Sequence, residues 1–211
     1  MVKVKICGVT RPKDLKVAIK AGADYVGFIV DVATSPRNLQ TREARRLIDM
    51  LPGGVESVVV TVFNGIERAV EICKELAPDF IQLHGIAPEL CSWSGSAKII
   101  AAVGVGGSDV VEQARSHSRF AQAILVDTCN QVGHGGTGLV HDWALSRKIR
   151  DAIFPRPMIL AGGLTTENVG RAIHAVKPFG VDVSTGVEAR PGIKDPAKIV
   201  KFIRRVREAA S

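Results

Sequence analysis

One theme recurs eight times along the 211 residues: a short β-branched run, a polar or glycine-rich turn, then a segment with 3.6-residue period. The strand candidates are Val2–Ile6, Tyr25–Val30, Ser57–Val62, Phe80–Leu83, Lys98–Val103, Ala123–Val126, Met158–Leu160 and Val181–Val183. The helices expected after them are Pro12–Ala21, Thr41–Met50, Gly65–Leu76, Pro88–Trp93, Ser108–Ser116, Trp143–Ala152, Thr166–Val176 and Pro196–Ala209. Start signals support several of these, including Thr165-Thr166-Glu167 before the seventh and Asp195-Pro196 before the eighth. At roughly 26 residues per unit nothing is left for a second domain, so residues 1–211 are expected to form one. Strands alternating with helices dictate a parallel sheet with right-handed crossovers, either doubly wound or closed into a barrel. Eight units at this spacing favour a compact (β/α)8 barrel, whose lengths begin near about 200 residues. The first β–α turn, Cys7-Gly8-Val9-Thr10, lacks the G-x-G-x-x-G of a dinucleotide-binding fold.

Composition narrows the function classes. Apolar residues make up 46%, enough for a sizeable core, and no apolar run approaches the roughly 20 residues of a membrane helix. Met1–Ile6 alternates too strictly for a signal-peptide core, so the chain reads as soluble and cytoplasmic. The net charge of +7 fits an anionic partner, and a phosphorylated metabolite satisfies it. The densest basic groups, Arg42, Arg45 and Arg46, then Arg204, Arg205 and Arg207, fall on helix-like stretches and read as solvated faces. With one Tyr and two Trp, stacking platforms for single-stranded nucleic acid are not expected, and neither is a membrane partner. Cys7, Cys73, Cys91 and Cys129 form no C-x-x-C pair, which argues against both a metal site and a disulfide framework.

In a barrel of this kind the chemistry sits at the C-terminal ends of the strands. Those positions hold Cys7, Asp31 to Arg37, Phe63-Asn64, His84, Asp127, Gly162-Gly163 and Ser184-Thr185-Gly186. The loops after strands seven and eight combine small residues with backbone N–H groups, the usual phosphate site of this fold, although glycines also suit ordinary tight turns. Asp127 ends an apolar strand, and the glycine-rich run Gly133–Gly138 follows it. Lys5 and Cys7 share one face of the first strand, and Asp182 and Ser184 one face of the last. Closure of the barrel would pair Lys5 with Asp182, and the lysine could lower the Cys7 pKa, against the simpler reading of an inert buried thiol.

These residues, taken in order, resemble the phosphoribosylanthranilate isomerase family. The resemblance runs through Lys5–Thr10, Ala23–Phe28, Ser35-Pro36-Arg37, Gln82–Gly85, Val126-Asp127-Thr128, Gly135–Gly138, Gly162-Gly163-Leu164 and Asp182–Glu188. It implies an Amadori rearrangement with Cys7 as general base and Asp127 as general acid. Arg37 would hold the anthranilate carboxylate, and Gly163, Thr185 and Gly186 the phosphate. His84 and Ser184, at the tips of strands four and eight, complete the expected substrate-binding set. Both chemical steps are proton transfers, so neither metal nor redox cofactor is expected, and members of the family are monomers or homodimers. The chain departs from the family's usual pattern at Ile29–Thr34, at Cys129 and His134, and at Leu139-Val140-His141, positions that bear on the aglycone pocket.

Two other readings use the same residues. A histidine-pathway-like or dual-specificity sugar-phosphate isomerase would need a second strand-tip aspartate, and Asp31 is the candidate. A non-catalytic phosphate-binding barrel would keep the glycine loops without needing Cys7 or Asp127. A lyase would want a reactive lysine at a strand tip, whereas Lys98 starts its strand and Lys5 lies below the tip.

Overall fold

The computed structural model describes residues 1–85, 93–106, 109–128 and 142–210. Eight parallel strands close on themselves: β1 (Lys3–Ile6), β2 (Tyr25–Val30), β3 (Glu56–Val62), β4 (Phe80–His84), β5 (Lys98–Val105), β6 (Ala123–Thr128), β7 (Met158–Leu160) and β8 (Gly180–Val183). Closure is explicit in the register, with Lys5 opposite Tyr25 of β2 on one side and Asp182 of β8 on the other. The helices are α1 (Pro12–Ala21), α2 (Thr41–Ile48), α3 (Ile66–Leu76), α4 (Val110–Ser118), α5 (Trp143–Ile153), α6 (Val169–Val176) and α7 (Pro196–Ala209). The helix expected at Pro88–Trp93 falls almost wholly outside the described residues, as do Cys91, Cys129 and the run Gly133–Gly138.

Strand alternation divides the apolar residues into two cores. One set, including Val4, Ile6, Val26, Phe28, Ile81, Ile124 and Val181, faces the helices and packs against Leu15, Leu76, Ile149 and Phe202. The other set, including Tyr25, Val58, Val60, Ile100, Leu125 and Ile159, fills the barrel with Cys7 among them. Tyr25 and Phe80 meet edge to face at 5.8 Å and close the floor, which leaves the upper layer for polar groups.

The N-terminal strand ends share a device that the sequence pattern does not announce. A side chain just before one strand accepts the first amides of the previous strand: Asp24 from Val4 N–H, Asp79 from Ser57 N–H and Gln122 from Ile99 N–H, at 2.6–2.8 Å. Each bond satisfies a donor that the parallel ladder leaves open at its end. Asp24 also pairs with Lys3 and Arg207, and Arg207 donates to the Val2 carbonyl, so α7 is clamped onto the first strand. Arg42, Arg45, Arg46, Arg204 and Arg205 are solvent-facing as expected, whereas Arg207 serves this clamp.

Helix seven of the sequence pattern begins later than Thr166. Asn168 accepts from Thr165 N–H and donates to the Gly163 carbonyl, both at 2.8 Å, which holds the preceding residues in a turn until Val169. After β8 the chain makes a short turn at Thr185–Val187, then a hairpin of Glu188–Arg190 with Ile193–Lys194 before α7. That hairpin is invisible to the strand–helix alternation and matters for the site.

Candidate active site

The C-terminal strand ends surround a cavity of about 390 Å³. Its walls bring together Cys7, Arg37, His84, Asp127 and Ser184 from the expected set, with Asp182, Gln82 and Thr61. Apolar surface from Ile29, Val32, Pro36, Val60 and Val62 covers one side. Gly163, Thr185 and Gly186 are not on the cavity wall; they form the adjoining loops after β7 and β8. Those loops need their glycines. Gly163 has φ +61°, and a Cβ on Gly186 would overlap the Leu164 carbonyl oxygen, so the two loops lie against each other.

Beneath the cavity, Lys5 is 1% exposed and its Nζ donates to Asp182 Oδ1 at 3.0 Å. Burial works against the Lys5 charge, but Asp182, with a smaller contribution from Cys7, holds the ammonium above its usual value. Gly27 makes room for this layer, since a Cβ there would stand 2.9 Å from Cys7 Sγ and 3.2 Å from Lys5 Nζ. The lysine does not lower the thiol overall. Burial pushes Cys7 up and Asp182 adds to that, while Lys5 and Lys194 oppose it without prevailing. The expectation of a depressed Cys7 is therefore corrected: the cation limits the rise and does not reverse it.

Asp127 at the tip of β6 is pushed up to about 6, first by burial and then by Asp182. The Thr128 amide, donating to Oδ1 at 2.7 Å, and Lys5 both pull the other way. Such a carboxyl is half-protonated near pH 6 and still about one-tenth protonated at pH 7, which suits proton donation. Asp31 has a different setting. It lies outside the cavity at φ +61° and accepts from Arg68 at 2.8 Å.

Arg37 is engaged rather than open. Its Nε and Nη2 donate to the two Glu188 oxygens at 2.8 and 2.7 Å, and Glu188 also accepts from Lys194 Nζ at 3.0 Å. Gly8 lets the arginine lie flat, because a Cβ there would be 2.5 Å from Arg37 Cδ. Among the described residues two of five guanidinium N–H groups are spent on Glu188, leaving three for a ligand. Near His84, the Gln82 amide nitrogen donates to Nε2 at 2.9 Å, while Gln82 Oε1 has no partner among the described residues.

Glu188, Lys194 and Gln82 were not singled out from sequence. Gln82 carried a usable signal, a polar residue sharing the interior parity of His84 on an apolar strand. The Arg37–Glu188 pair spans 151 residues and carried none.

A closed eight-stranded parallel barrel with a thiol, an elevated carboxyl and an arginine around one cavity defines a (β/α)8-barrel acid–base enzyme class. The family model described as N-(5′-phosphoribosyl)anthranilate (PRA) isomerase matches residues 4–205. The chain belongs to that family. An N-(5′-phosphoribosyl)anthranilate isomerase of Methanothrix thermoacetophila is 44% identical, over 98% of this chain and 99% of the relative. The crystal structure of phosphoribosyl anthranilate isomerase from Thermotoga maritima aligns with TM-score 0.88 at 38% identity, covering 99% of this chain and all of that one. Another solved structure, of a phosphoribosyl anthranilate isomerase in complex with reduced 1-(o-carboxyphenylamino)-1-deoxyribulose 5-phosphate, aligns with TM-score 0.85 at 37% identity, covering 99% of this chain and all of that one.

Proposed function

We propose that this chain catalyses the Amadori rearrangement of N-(5-phosphoribosyl)anthranilate to 1-(2-carboxyphenylamino)-1-deoxyribulose 5-phosphate, a step of tryptophan biosynthesis. The observation that carries the reading is the meeting of Cys7 and Asp127 around one cavity that also presents Arg37 and Ser184. In this reading Asp127 protonates the furanose ring oxygen as the ring opens to a protonated imine. Cys7 as thiolate then removes the C2′ proton, and the resulting enolamine tautomerises to the ketone. With Asp127 near 6, holding it protonated at pH 7 costs about 1.4 kcal/mol, against about 4 kcal/mol for an unperturbed aspartate.

Arg37 receives the anthranilate carboxylate on its remaining N–H groups, and the apolar wall of Ile29, Val32 and Val60 takes the ring. The phosphate sits on backbone amides at Gly163, Thr185 and Gly186, with Ser184 and His84 nearby on the sugar side. Gln82 on the cavity wall offers its side-chain amide to a sugar hydroxyl. The chain works as one domain of residues 1–211, as monomer or homodimer in the cytoplasm, on a phosphorylated small molecule. It needs no cofactor and takes neither nucleic acid nor membrane as partner. No helix of the described residues is long and apolar enough to cross a membrane.

The two-aspartate alternative loses ground because Asp31 is paired with Arg68 and lies outside the cavity. The direct test is turnover of phosphoribosylanthranilate, generated in situ and followed by its fluorescence, in wild type, Cys7→Ala and Asp127→Asn. Each substitution should cost on the order of 10²–10⁴ in turnover. Near-normal turnover in Cys7→Ala would refute the mechanism. Inactivity of the folded wild type would refute the substrate assignment.

A further inference from the structure

The hairpin after β8 stands behind Arg37 without lining the cavity, yet it is wired into the site on every side. Lys194 is 1% exposed, and its Nζ donates to Glu188 Oε1 at 3.0 Å and to the Ser184 carbonyl at 3.1 Å. Its backbone N–H donates to Asp14 on α1 at 3.1 Å, and Arg11 neutralises Asp14 with two hydrogen bonds. Gly192 donates to Glu188 Oε1 at 3.3 Å and accepts from Thr10 Oγ1 at 2.6 Å. The hairpin is therefore a rigid mount, and Glu188 is its contact with the guanidinium.

Charge counting gives the mount a second role. Lys5 and Asp182 cancel at the floor of the cavity, and Arg37 and Glu188 cancel beside it. An arginine neutralised in this way is a poor attractor of an anion, however well it is aimed. Lys194 makes the cluster two cations against one anion, so a net positive charge survives in a buried setting. Lys198 on α7 is another cation close by, but it reaches the Glu188 carbonyl and is exposed to solvent, where screening weakens it.

We propose that Glu188 and Lys194 are positioning residues for carboxylate recognition: Glu188 fixes the guanidinium of Arg37, and Lys194 supplies the positive charge that Glu188 would otherwise cancel. The inference rests on the reading of Arg37 as the carboxylate receptor. It makes carboxylate affinity sensitive to a lysine that does not touch the ligand.

Lys194 can also lose that charge. Burial pushes its ammonium below the usual lysine value, although Glu188 and Cys7 oppose the fall and Arg37 adds to it. The charged groups facing it are Glu188 on its own hairpin, Arg37 after β2, Cys7 at β1 and the Asp14–Arg11 pair of α1. A thiolate at Cys7 would repel the ligand carboxylate and hold the Lys194 charge, so the test is run with that thiol removed.

The experiment measures Kd for reduced 1-(o-carboxyphenylamino)-1-deoxyribulose 5-phosphate from pH 7.5 to 10 in Cys7→Ala. The same titration is made with the counterpart ligand that lacks the carboxylate, and in Cys7→Ala carrying Lys194→Met or Lys194→Arg. The carboxylate ligand should lose affinity as pH rises in Cys7→Ala, toward the level that Lys194→Met shows throughout. Lys194→Met should bind it about tenfold more weakly at pH 7.5 and show no such pH dependence, and Lys194→Arg should bind tightly and stay flat. The ligand without a carboxylate should lose clearly less in each of these changes, since it keeps only the phosphate contacts of the loop that Lys194 also touches. Equal losses for both ligands would mean a purely structural role and overturn the inference, as would a flat titration in Cys7→Ala, which needs no change at Lys194. If Cys7→Ala binds the phosphate ligand but does not prefer the carboxylate form, the assignment of Arg37 fails first and this inference with it.

Discussion

The buried Lys5–Asp182 pair offers a test in which stability and catalysis should move together. Both side chains are nearly sealed, at 1% and 8% exposure, and they meet at 3.0 Å. Removing one partner of such a pair strands a charge away from water and costs about 3–5 kcal/mol, whereas replacing both with apolar groups is often close to neutral. Lys5→Met and Asp182→Asn should each cost that much in urea unfolding, a large share of the roughly 5–15 kcal/mol available to a domain. Lys5→Met/Asp182→Asn should cost at least about 2 kcal/mol less than the sum of the two single substitutions. The catalytic readout has opposite signs for the two partners. Asp182 raises the Asp127 pKa and Lys5 lowers it. The acidic limb of kcat/KM should therefore move below about 6 in Asp182→Asn and above it in Lys5→Met, returning toward the wild-type position in the double variant. The measurements are urea midpoints with slopes, and kcat/KM from pH 4.5 to 8. Additive unfolding costs, or an acidic limb that stays put in both single variants, would show that the pair neither stabilises the floor nor tunes the acid.

Wild-type kcat/KM should be flat-topped, falling below about pH 6 and again above the raised Cys7 value; Asp127→Glu should move the acid limb and leave the alkaline one in place. Gly186→Ala forces a methyl onto the Leu164 carbonyl and should part the two phosphate loops, raising KM by about tenfold or more with a smaller effect on kcat; an unchanged KM would remove that loop from phosphate binding. His117 is buried with Nδ1 unpartnered among the described residues, and burial lowers its pKa from 6.5. The neutral form is favoured in the fold, so its contribution is present above the unfolded value and lost as pH falls through the folded one. The Tm drop between pH 7.5 and 5 should accordingly be smaller in His117→Phe than in wild type, as scanning calorimetry can report.

The barrel was legible because its signal is local and repeated. Seven of the eight strand–helix units can be followed in the described residues, and α1 and α7 carry the expected bounds, Pro12–Ala21 and Pro196–Ala209. Proline at the first turn and the Asp195 side chain accepting from Ala197 N–H explain why those ends were readable. Strand parity also reached one tertiary contact, the Lys5–Asp182 pair, since closure of eight parallel strands makes the first and last neighbours. What escaped depends on groups far apart in sequence with no period to betray them. The hairpin at Glu188–Lys194 interrupts the β–α rhythm, and its bond to Arg37 follows only from the folded loops. The direction of the Cys7 shift depends on how burial weighs against the Lys5 charge, a balance that only the folded surroundings decide.

Those shifts bear on how a cysteine and an aspartate divide the work. With Asp127 near 6 and Cys7 raised, the prevailing one-proton form at neutral pH holds the proton on the thiol. The productive form in the proposed mechanism is the opposite one, thiolate with carboxylic acid, reached by moving that proton within the pair. Burial helps the acid and hinders the base. Lys5 limits the cost to the base by standing below the thiol, and Asp182 keeps Lys5 charged while itself adding to the rise of the thiol. A second aspartate in place of Cys7 would titrate lower and add a like charge to Asp127, whereas a thiol stays neutral until the step that needs it. The layer of Lys5, Asp182 and Gly27 at the floor of the cavity is thus as much a part of the proposed acid–base chemistry as Cys7 and Asp127.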